Sequence, residues 1–284
     1  MDISVYGHFN IDVLIRVDNM PKNPGSIPAS DVRIRPGGTG RNISKILGKL
    51  KIDNELISFV GGEFPREFID DLSKFSKTDK VRIKNDYGYS PSCFIISDGR
   101  DQMAIIDQGP MKNPDEIIMP VGKLVHFSTG NPDYYIKIKH EIGKKKLISF
   151  DPGQEILYRY DKTKFINMIS ETDFSFFNER EYSAALKFLS ENEMKRASKN
   201  IIVTLGERGC MIISDVKKRL EAYRTVERET VGAGDSFRAG FYYGYFNNYS
   251  IEDSCRIGMK VASVIIRNGN IDSEIDMNEI TEIL

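Results

Sequence analysis

The sequence predicts an α/β protein with a doubly wound, mostly parallel sheet that is flanked by helices and carries a small β-sheet lid. Strand-like and helix-like segments alternate at short spacing along most of the 284 residues, which is typical of parallel sheets with helices on both faces. Two segments, roughly residues 13–36 and 87–107, carry strand patterns without a helix period. The hydrophobic fraction of 40% is ordinary for a globular protein and permits a large core.

The first predicted strand covers residues 3–9, which alternate and are rich in β-forming side chains. Asn10 and Asp12 follow at its end, where ligands bind in open α/β sheets. Their short polar side chains can hold the hydroxyls of a polyol, because aspartate accepts hydrogen bonds and asparagine both accepts and donates. Asparagine and aspartate are also common in turns, so a plain turn is the alternative interpretation.

The two strand-rich insertions interrupt the alternation of strands and helices. In the second insertion, Asp98 and Gly99 mark the corner of a hairpin. If the insertions pair with each other, the small sheet could cover a site and exclude water from it; an edge extension without function is the alternative. The predicted division is a core of residues 1–12, 37–86 and 108–284 and a β lid of residues 13–36 and 87–107.

A glycine-rich turn, RPGGTGRN at residues 35–42, precedes a predicted helix. Apolar residues then recur at i, i+3, i+4 and i+7 from Ile43, which is a helical period. Gly37 and Gly38 would let backbone amides approach a substrate closely. Asn42 lies in the first helical turn with its side chain free to reach forward. An ordinary loop before a helix is the alternative.

A second glycine-rich turn lies in ETVGAGDSFRAGF, residues 229–241, before an apolar run of helical period. A helix is predicted to begin near Asp235. A glycine turn that opens a helix leaves several N–H groups unpaired and parallel, which makes an anion site. We therefore predict that this turn holds a phosphate during transfer and that Asp235 accepts the proton of the attacking group; a plain helix cap is the alternative. The predicted catalytic residues are Gly232, Ala233, Gly234 and Asp235.

The composition and the motifs of the sequence exclude several classes of protein. The formal charge of −1 provides no general basic field, so no nucleic-acid partner is expected. No membrane partner is expected either, because no apolar run approaches the ~20 residues that span a bilayer. Cys93, Cys210 and Cys255 form no CxxC pattern, which favours a reducing cytoplasm. The P-loop, GxGxxG, GxSxG and HExxH patterns are all absent.

Together the two glycine-rich turns resemble the ribokinase (PfkB) family of small-molecule kinases. PGGTGRN is similar to the N-terminal signature of that family and ETVGAGDSFRAGF to its C-terminal signature, in matching order and spacing along essentially the whole chain. The stretch from His126 to Ile156 is most similar to an archaeal branch with broad nucleoside specificity. The resemblance implies a ribokinase-like fold and transfer of the γ-phosphate of ATP, with Mg²⁺, to a primary hydroxyl such as the 5′-OH of a nucleoside.

The resemblance also implies roles for individual residues. Asp235 matches the general base and residues 232–234 the anion hole. The positions that match the hydroxyl-binding group are Asn10, Asp12, Gly37, Gly38 and Asn42. Asn178 and Glu181 match an N-x-x-E motif that acts near Mg²⁺ and the donor phosphates, although their spacing is also that of a helix capping box. The positions near the donor nucleotide are Asn178, Thr204, Gly206, Gly209 and Asn268.

Departures from the family pattern leave alternatives open. Glu229 replaces an aspartate that helps to bind an activating potassium ion in relatives, which leaves activation by a monovalent cation open. Thr39 stands where ribokinases often carry lysine, which argues mildly against ribose as acceptor. A sugar kinase of the ribokinase or fructokinase type and a non-catalytic nucleoside-binding protein are the alternative functions. We expect a homodimer that forms through an exposed edge of the β lid.

Overall fold

The computed structural model describes residues 1–20, 25–223, 225 and 232–282. Its strands are β1 (Ile3–Tyr6), β2 (Asn10–Arg16), β3 (Asp31–Gly37), β4 (Asn54–Gly61), β5 (Val81–Lys84), β6 (Ser92–Ser97), β7 (Gln102–Asp107), β8 (Leu124–Phe127), β9 (Leu147–Phe150), β10 (Thr172–Asn178), β11 (Ser198–Thr204), β12 (Cys210–Ile213) and β13 (Lys217–Leu220). Its helices are α1 (Thr39–Lys49), α2 (Arg66–Ser73), α3 (Pro132–Ile142), α4 (Lys162–Ile169), α5 (Glu179–Ala185), α6 (Glu191–Ala197), α7 (Ala233–Phe246), α8 (Ile251–Asn268) and α9 (Met277–Thr281).

The larger sheet contains nine of the described strands in the order β13-β12-β11-β10-β9-β8-β1-β4-β5. All neighbours from β11 to β5 are parallel, and β12 and β13 add an antiparallel edge. The central strands are apolar on both faces because helices cover both sides. One core layer includes Leu47 of α1 and Phe241 of α7, and the other includes Ile138 of α3 and Phe165 of α4. The predicted doubly wound, mostly parallel sheet is confirmed.

A separate four-stranded sheet has the order β3-β2-β6-β7. The two insertions join through the parallel pair β2–β6, and each contributes an antiparallel neighbour. Asp98 closes the β6–β7 hairpin, because its Oδ1 accepts the backbone N–H groups of Arg100 and Asp101, both at 2.9 Å. The small β-sheet lid is therefore confirmed, whereas the exact division into core and lid residues stays a prediction.

The first strand is shorter than predicted, so Asn10 and Asp12 do not lie at its end. β1 ends at Tyr6, and both polar residues belong to β2 of the lid sheet. Asn10 pairs with Gly37 of β3, and the N–H of Ile11 donates to the carbonyl of Pro91 at 2.9 Å. The prediction was wrong because backbone partners from the second insertion hold a polar segment in a strand, which residue type alone does not favour.

Helices α7 and α8 pack against each other over one face of the large sheet. Buried Phe237, Phe241 and Val261 fill the space between the two helices and the strands. This packing fixes the N-terminus of α7, where the second glycine-rich turn lies. None of the helices in the described part of the chain combines the length and apolar character that crossing a bilayer requires.

Candidate active site

The second glycine-rich turn opens α7. Gly232 precedes the helix with φ 81° and ψ 2°, a left-handed conformation that disfavours a side chain. The helix begins at Ala233, two residues before the predicted start, and Asp235 lies in its first turn. The free N–H groups of this turn therefore point away from the helix at a site that favours negative charge. Residues 229–231 of the motif, including Glu229, lie outside the described residues.

The first glycine-rich turn opens α1. Gly38 precedes this helix with φ 92°, and a Cβ at that position would overlap the carbonyl of His8. Asn42 lies in the first turns of α1, which packs against α7. The Nδ2 of Asn42 donates a hydrogen bond to the Oδ2 of Asp235 at 2.8 Å. The two turns, 193 residues apart in the sequence, therefore meet through their polar side chains.

A cavity of about 160 Å³ lies between the two turns and the lid. The predicted residues that line it are Asn10, Asp12, Gly38, Asn42, Gly232 and Asp235. The lid closes the cavity with Cys93, Ile95 and Ile106. Gly37 does not line this cavity, but a Cβ there would overlap the carboxylate of Asp12. The absence of a side chain at Gly37 therefore makes room for the carboxylate of Asp12, which is predicted to bind the substrate.

The polar wall of this cavity contains side chains that the sequence did not single out. His8 bonds through Nδ1 to Thr129 Oγ1 at 2.8 Å and through Nε2 to Gln108 Oε1 at 2.6 Å. Burial lowers the pKa of His8 to about 4, so the ring is neutral near pH 7. Glu155 lies beside it and is 1% exposed. This wall can recognise polar groups of a ligand by hydrogen bonds rather than by a histidine charge.

A second groove, of about 700 Å³, lies on the other side of the α7 turn. Thr204, Gly206 and Gly209, all predicted to lie near the donor nucleotide, line it together with Ala233 and Gly234. Its remaining lining combines apolar residues, including Tyr223, Phe237 and Met259, with polar and charged ones, including Glu207 and Arg208. The same short turn therefore presents Gly232 and Asp235 to the smaller cavity. Ala233 and Gly234, which lie between them, line the larger groove.

Asn268 and the Asn178–Glu181 pair do not line either of these two cavities. Asn268 is exposed and ends α8, two residues beyond Ile266 of the groove. Asn178 and Glu181 form the complete capping box of α5, with Asn178 Oδ1 accepting the N–H of Glu181 at 2.8 Å. The nucleotide-binding roles of Asn178 and Asn268 stay predictions.

Three carboxylates lie close to the α7 turn, and burial raises the pKa of two of them. Desolvation raises the pKa of Asp235 to about 6, against the opposing effects of the Asn42 hydrogen bond and the Arg238 charge. Burial also raises the pKa of Glu181 to about 7, again opposed by Arg238. Asp151 is the third carboxylate and forms an ion pair with Arg238, with 2.6 Å between its Oδ2 and the Nε. Near neutral pH, Asp235 is ionised and can accept a proton.

Comparison with solved structures defines the fold class of the protein. The nucleoside kinase of Methanocaldococcus jannaschii, described as an archaeal member of the ribokinase family, superposes with a TM-score of 0.90 at 26% identity over 99% of this chain and 97% of that one. Ribokinase from Thermotoga maritima superposes with a TM-score of 0.86 at 19% identity over 99% and 98% of the two chains, which shows the shared fold. The fold is therefore that of ribokinase-like small-molecule kinases.

Sequence comparison identifies the family. The profile of the pfkB family carbohydrate kinases matches residues 1–276. A nucleoside kinase of Thermoplasma acidophilum is 34% identical over 278 residues, which cover 98% of this chain and 94% of the relative. The nucleoside kinase of M. jannaschii is 30% identical over 93% of this chain and 90% of its own length. The chain belongs to the pfkB family and is a phosphotransferase with an alcohol acceptor.

Proposed function

We propose that the protein transfers the γ-phosphate of ATP to the 5′-hydroxyl of a nucleoside. The observation that carries this proposal is the position of the α7 turn between the two cavities. Asp235 and Asn42, joined by a hydrogen bond, line the smaller cavity, whereas Ala233 and Gly234 line the larger groove. An acceptor in the first and a nucleotide in the second would approach each other across this turn. Relatives that bear the name nucleoside kinase support the choice of acceptor.

In this mechanism the chain positions the reactants and stabilises charge. Phosphoryl transfer has a loose transition state, so catalysis depends mainly on alignment and electrostatic stabilisation. Asn10, Asp12 and Asn42 would bind the ribose hydroxyls and aim the primary hydroxyl at the donor phosphate. Asp235 would accept the proton of that hydroxyl. The free amides of residues 232–234 would stabilise negative charge on the oxygens of the transferred group.

Mg²⁺ is the expected metal, and the carboxylates near the turn fit it in part. Mg²⁺ prefers oxygen ligands, keeps several waters and is commonly held by one or two carboxylates together with substrate phosphates. Among the described residues, no cluster of three or more histidine, cysteine or acidic side chains is placed to hold a metal without a substrate. Buried Glu181 supplies a carboxylate near the turn. We therefore propose that Mg²⁺ enters with the phosphates of ATP and would neutralise part of their negative charge. Glu181 would act on the metal indirectly rather than as a direct ligand.

A substrate panel tests the proposed reaction. We expect ADP formation from MgATP to be fastest with a nucleoside, and slower with ribose or fructose. The alternative of a sugar kinase has one observation in its favour: about 160 Å³ is below the roughly 300–1,000 Å³ of common ligand pockets. A nucleoside would therefore require the lid to move outward. ADP formation with sugars alone would support the sugar kinase, and nucleoside binding without turnover would support a non-catalytic binding protein.

We also propose that two copies pair through their lids, although the structure suggests a face of the sheet rather than its edge. The register of the lid sheet places eight apolar side chains in two adjacent rows on its outward face: Ile34, Val13, Phe94 and Ile105, then Val32, Ile15, Ile96 and Met103. Five of the eight are exposed, up to 64% for Ile34. Such contiguous apolar surface is rare on monomers. A second copy offers an apolar face of the same shape in a two-fold contact.

Replacing Ile105 with aspartate tests this interface. We expect Ile105→Asp to weaken self-association by at least ~10²-fold, because a two-fold dimer would bury two unpaired carboxylates. Ala104→Asp is the matched control, since the adjacent residue of β7 points to the opposite face of the sheet. Sedimentation velocity over micromolar concentrations measures the dimer fraction. A wild-type protein that is monomeric throughout this range, or equal effects of the two variants, would contradict the proposed interface.

The compartment and the cation requirement stay proposals. Cys93, Cys210 and Cys255 are all free thiols in the structure, which agrees with the reducing cytoplasm that their spacing favoured. Activation by potassium depended on Glu229, which lies outside the described residues.

A further inference from the structure

A buried ion pair lies beneath the α7 turn and was not predicted from the sequence. Arg238, one helical turn beyond Asp235, pairs with Asp151, which directly follows β9, through one hydrogen bond and one close ionic contact. The Nη2 donates to Oδ1 at 2.8 Å, and the Nε lies 2.6 Å from Oδ2. Arg238 is 6% exposed and Asp151 is 3% exposed. The buried carboxylate therefore contacts two nitrogens of the guanidinium, an arrangement that the single ammonium of lysine cannot provide.

The guanidinium of Arg238 also lies directly against the backbone of the turn. A Cβ added to Gly234 would stand 2.5 Å from Arg238 Nη1. Gly234 has no positive φ, unlike Gly232, so its backbone conformation does not require glycine. Because the guanidinium is buried and paired with Asp151 through a hydrogen bond and an ionic contact, the side chain has little freedom to move away. The absence of a side chain at Gly234 therefore makes room for Arg238.

The surroundings of Arg238 are rich in negative charge. Asp151, Glu181 and Asp235 all interact with the guanidinium electrostatically. His126 adds no positive charge, because burial lowers its pKa to about 4. Its Nδ1 lies within hydrogen-bond reach of Tyr242 and Ser149, which pack behind Asp151. The other groups around Asp235 are the amide of Asn42 on α1 and, across the cavity on β2, the carboxyl of Asp12.

We propose that Arg238, held by Asp151, is a positioning residue of the phosphoryl-transfer site. It supports the Gly232–Gly234 turn from beneath and maintains the ionised form of the Asp235 carboxyl. This inference rests on the proposed function, since it assigns a role to a residue that acts through the proposed base. It goes beyond that function because neither Arg238 nor Asp151 lines either cavity.

The two charges of the pair act on Asp235 with opposite signs. Arg238 lowers the pKa of Asp235 and Asp151 raises it, whereas desolvation is the larger effect and raises it to about 6. Removing Arg238 should therefore raise the pKa of Asp235, and removing the charge of Asp151 should lower it. An opposite charge within about 4–6 Å commonly shifts a carboxyl pKa by about 1–3 units. A purely structural role would not produce shifts of opposite direction.

Carboxyl NMR measures this effect directly. Protein labelled with [4-¹³C]aspartate would be titrated from pH 4 to pH 8, and Asp235→Asn would identify the Asp235 signal. We expect Arg238→Gln to raise the Asp235 midpoint by about one pH unit or more, and Asp151→Asn to lower it. The acidic limb of kcat/KM should move in the same directions. Lys164→Gln, which breaks the exposed pair with Asp133 at 2.8 Å, should change neither.

The design separates failure of this inference from failure of the proposed function. The NMR titration needs no turnover, so a wild-type protein that forms no ADP still allows the test. If Arg238→Gln does not fold because Asp151 is left buried without a partner, the double variant Arg238→Gln/Asp151→Asn replaces it. Its Asp235 midpoint should lie above that of Asp151→Asn alone. Shifts of the same sign in both single variants, or equal midpoints in Asp151→Asn and the double variant, would overturn the inference.

Discussion

Replacing Asp235 with asparagine is expected to lower kcat by at least ~10²-fold while leaving the affinity for acceptor and ATP nearly unchanged. The asparagine has almost the same shape, and its oxygen can still accept the hydrogen bond that Asn42 donates at 2.8 Å. It cannot accept a proton from the attacking hydroxyl near neutral pH. Rapid-quench measurement of a single turnover would separate the transfer step from product release.

The control for this substitution is Asp133→Asn, which removes an exposed carboxylate that pairs with Lys164 and lines neither cavity. We expect it to retain the wild-type rate. Calorimetric titration of each variant with acceptor and with ATP would show whether binding is preserved. A turnover number for Asp235→Asn within a factor of a few of the wild type would rule out the assignment of Asp235 as general base.

Local chemistry made the two glycine-rich turns predictable from the sequence. Glycine at a position of positive φ and the helical period that follows are properties of a short segment, and both hold at Gly38 and Gly232. The capping box of Asn178 and Glu181 was also readable for this reason. The resemblance to a known family implied that the two turns belong to one site, but the hydrogen bond between Asn42 and Asp235 was not predicted.

Features that depend on the fold were missed. Arg238 and Asp151 are 87 residues apart, and only the placement of β9 beside α7 brings them together. The strand at Asn10 was missed because its hydrogen-bond partners come from distant insertions.

Helix α6 was missed although Ser190 and Glu193 form a capping box that the sequence displays. That signal has little weight where no long apolar run follows it.

Placing alanine at position 232 is expected to lower kcat by about 10²-fold, because the amides of the turn must be held in register with the transferred phosphate. Gly232 has φ 81°, and a Cβ there would overlap the side chain of Ile271. The backbone must therefore leave the left-handed region or displace Ile271, and either movement shifts the N–H groups that open α7. Steady-state kinetics with MgATP measures the loss, and the effect should fall on kcat more than on the KM of the acceptor.

Two further variants separate the causes of that loss. Gly143→Ala changes another glycine of positive φ (φ 56°, ψ −145°), which lies outside the left-handed helical region and has no atom within 4 Å of the added Cβ. It therefore reports the cost of placing alanine in a glycine-favouring conformation without any overlap, roughly 1–3 kcal/mol of folding stability. We expect Gly143→Ala to keep the wild-type rate. Gly232→Ala/Ile271→Ala removes the overlap, yet it should stay slow because alanine still disfavours the left-handed conformation. A wild-type rate for Gly232→Ala itself would show that the geometry of this turn does not limit the transfer, and the amides of residues 232–234 would lose their proposed role.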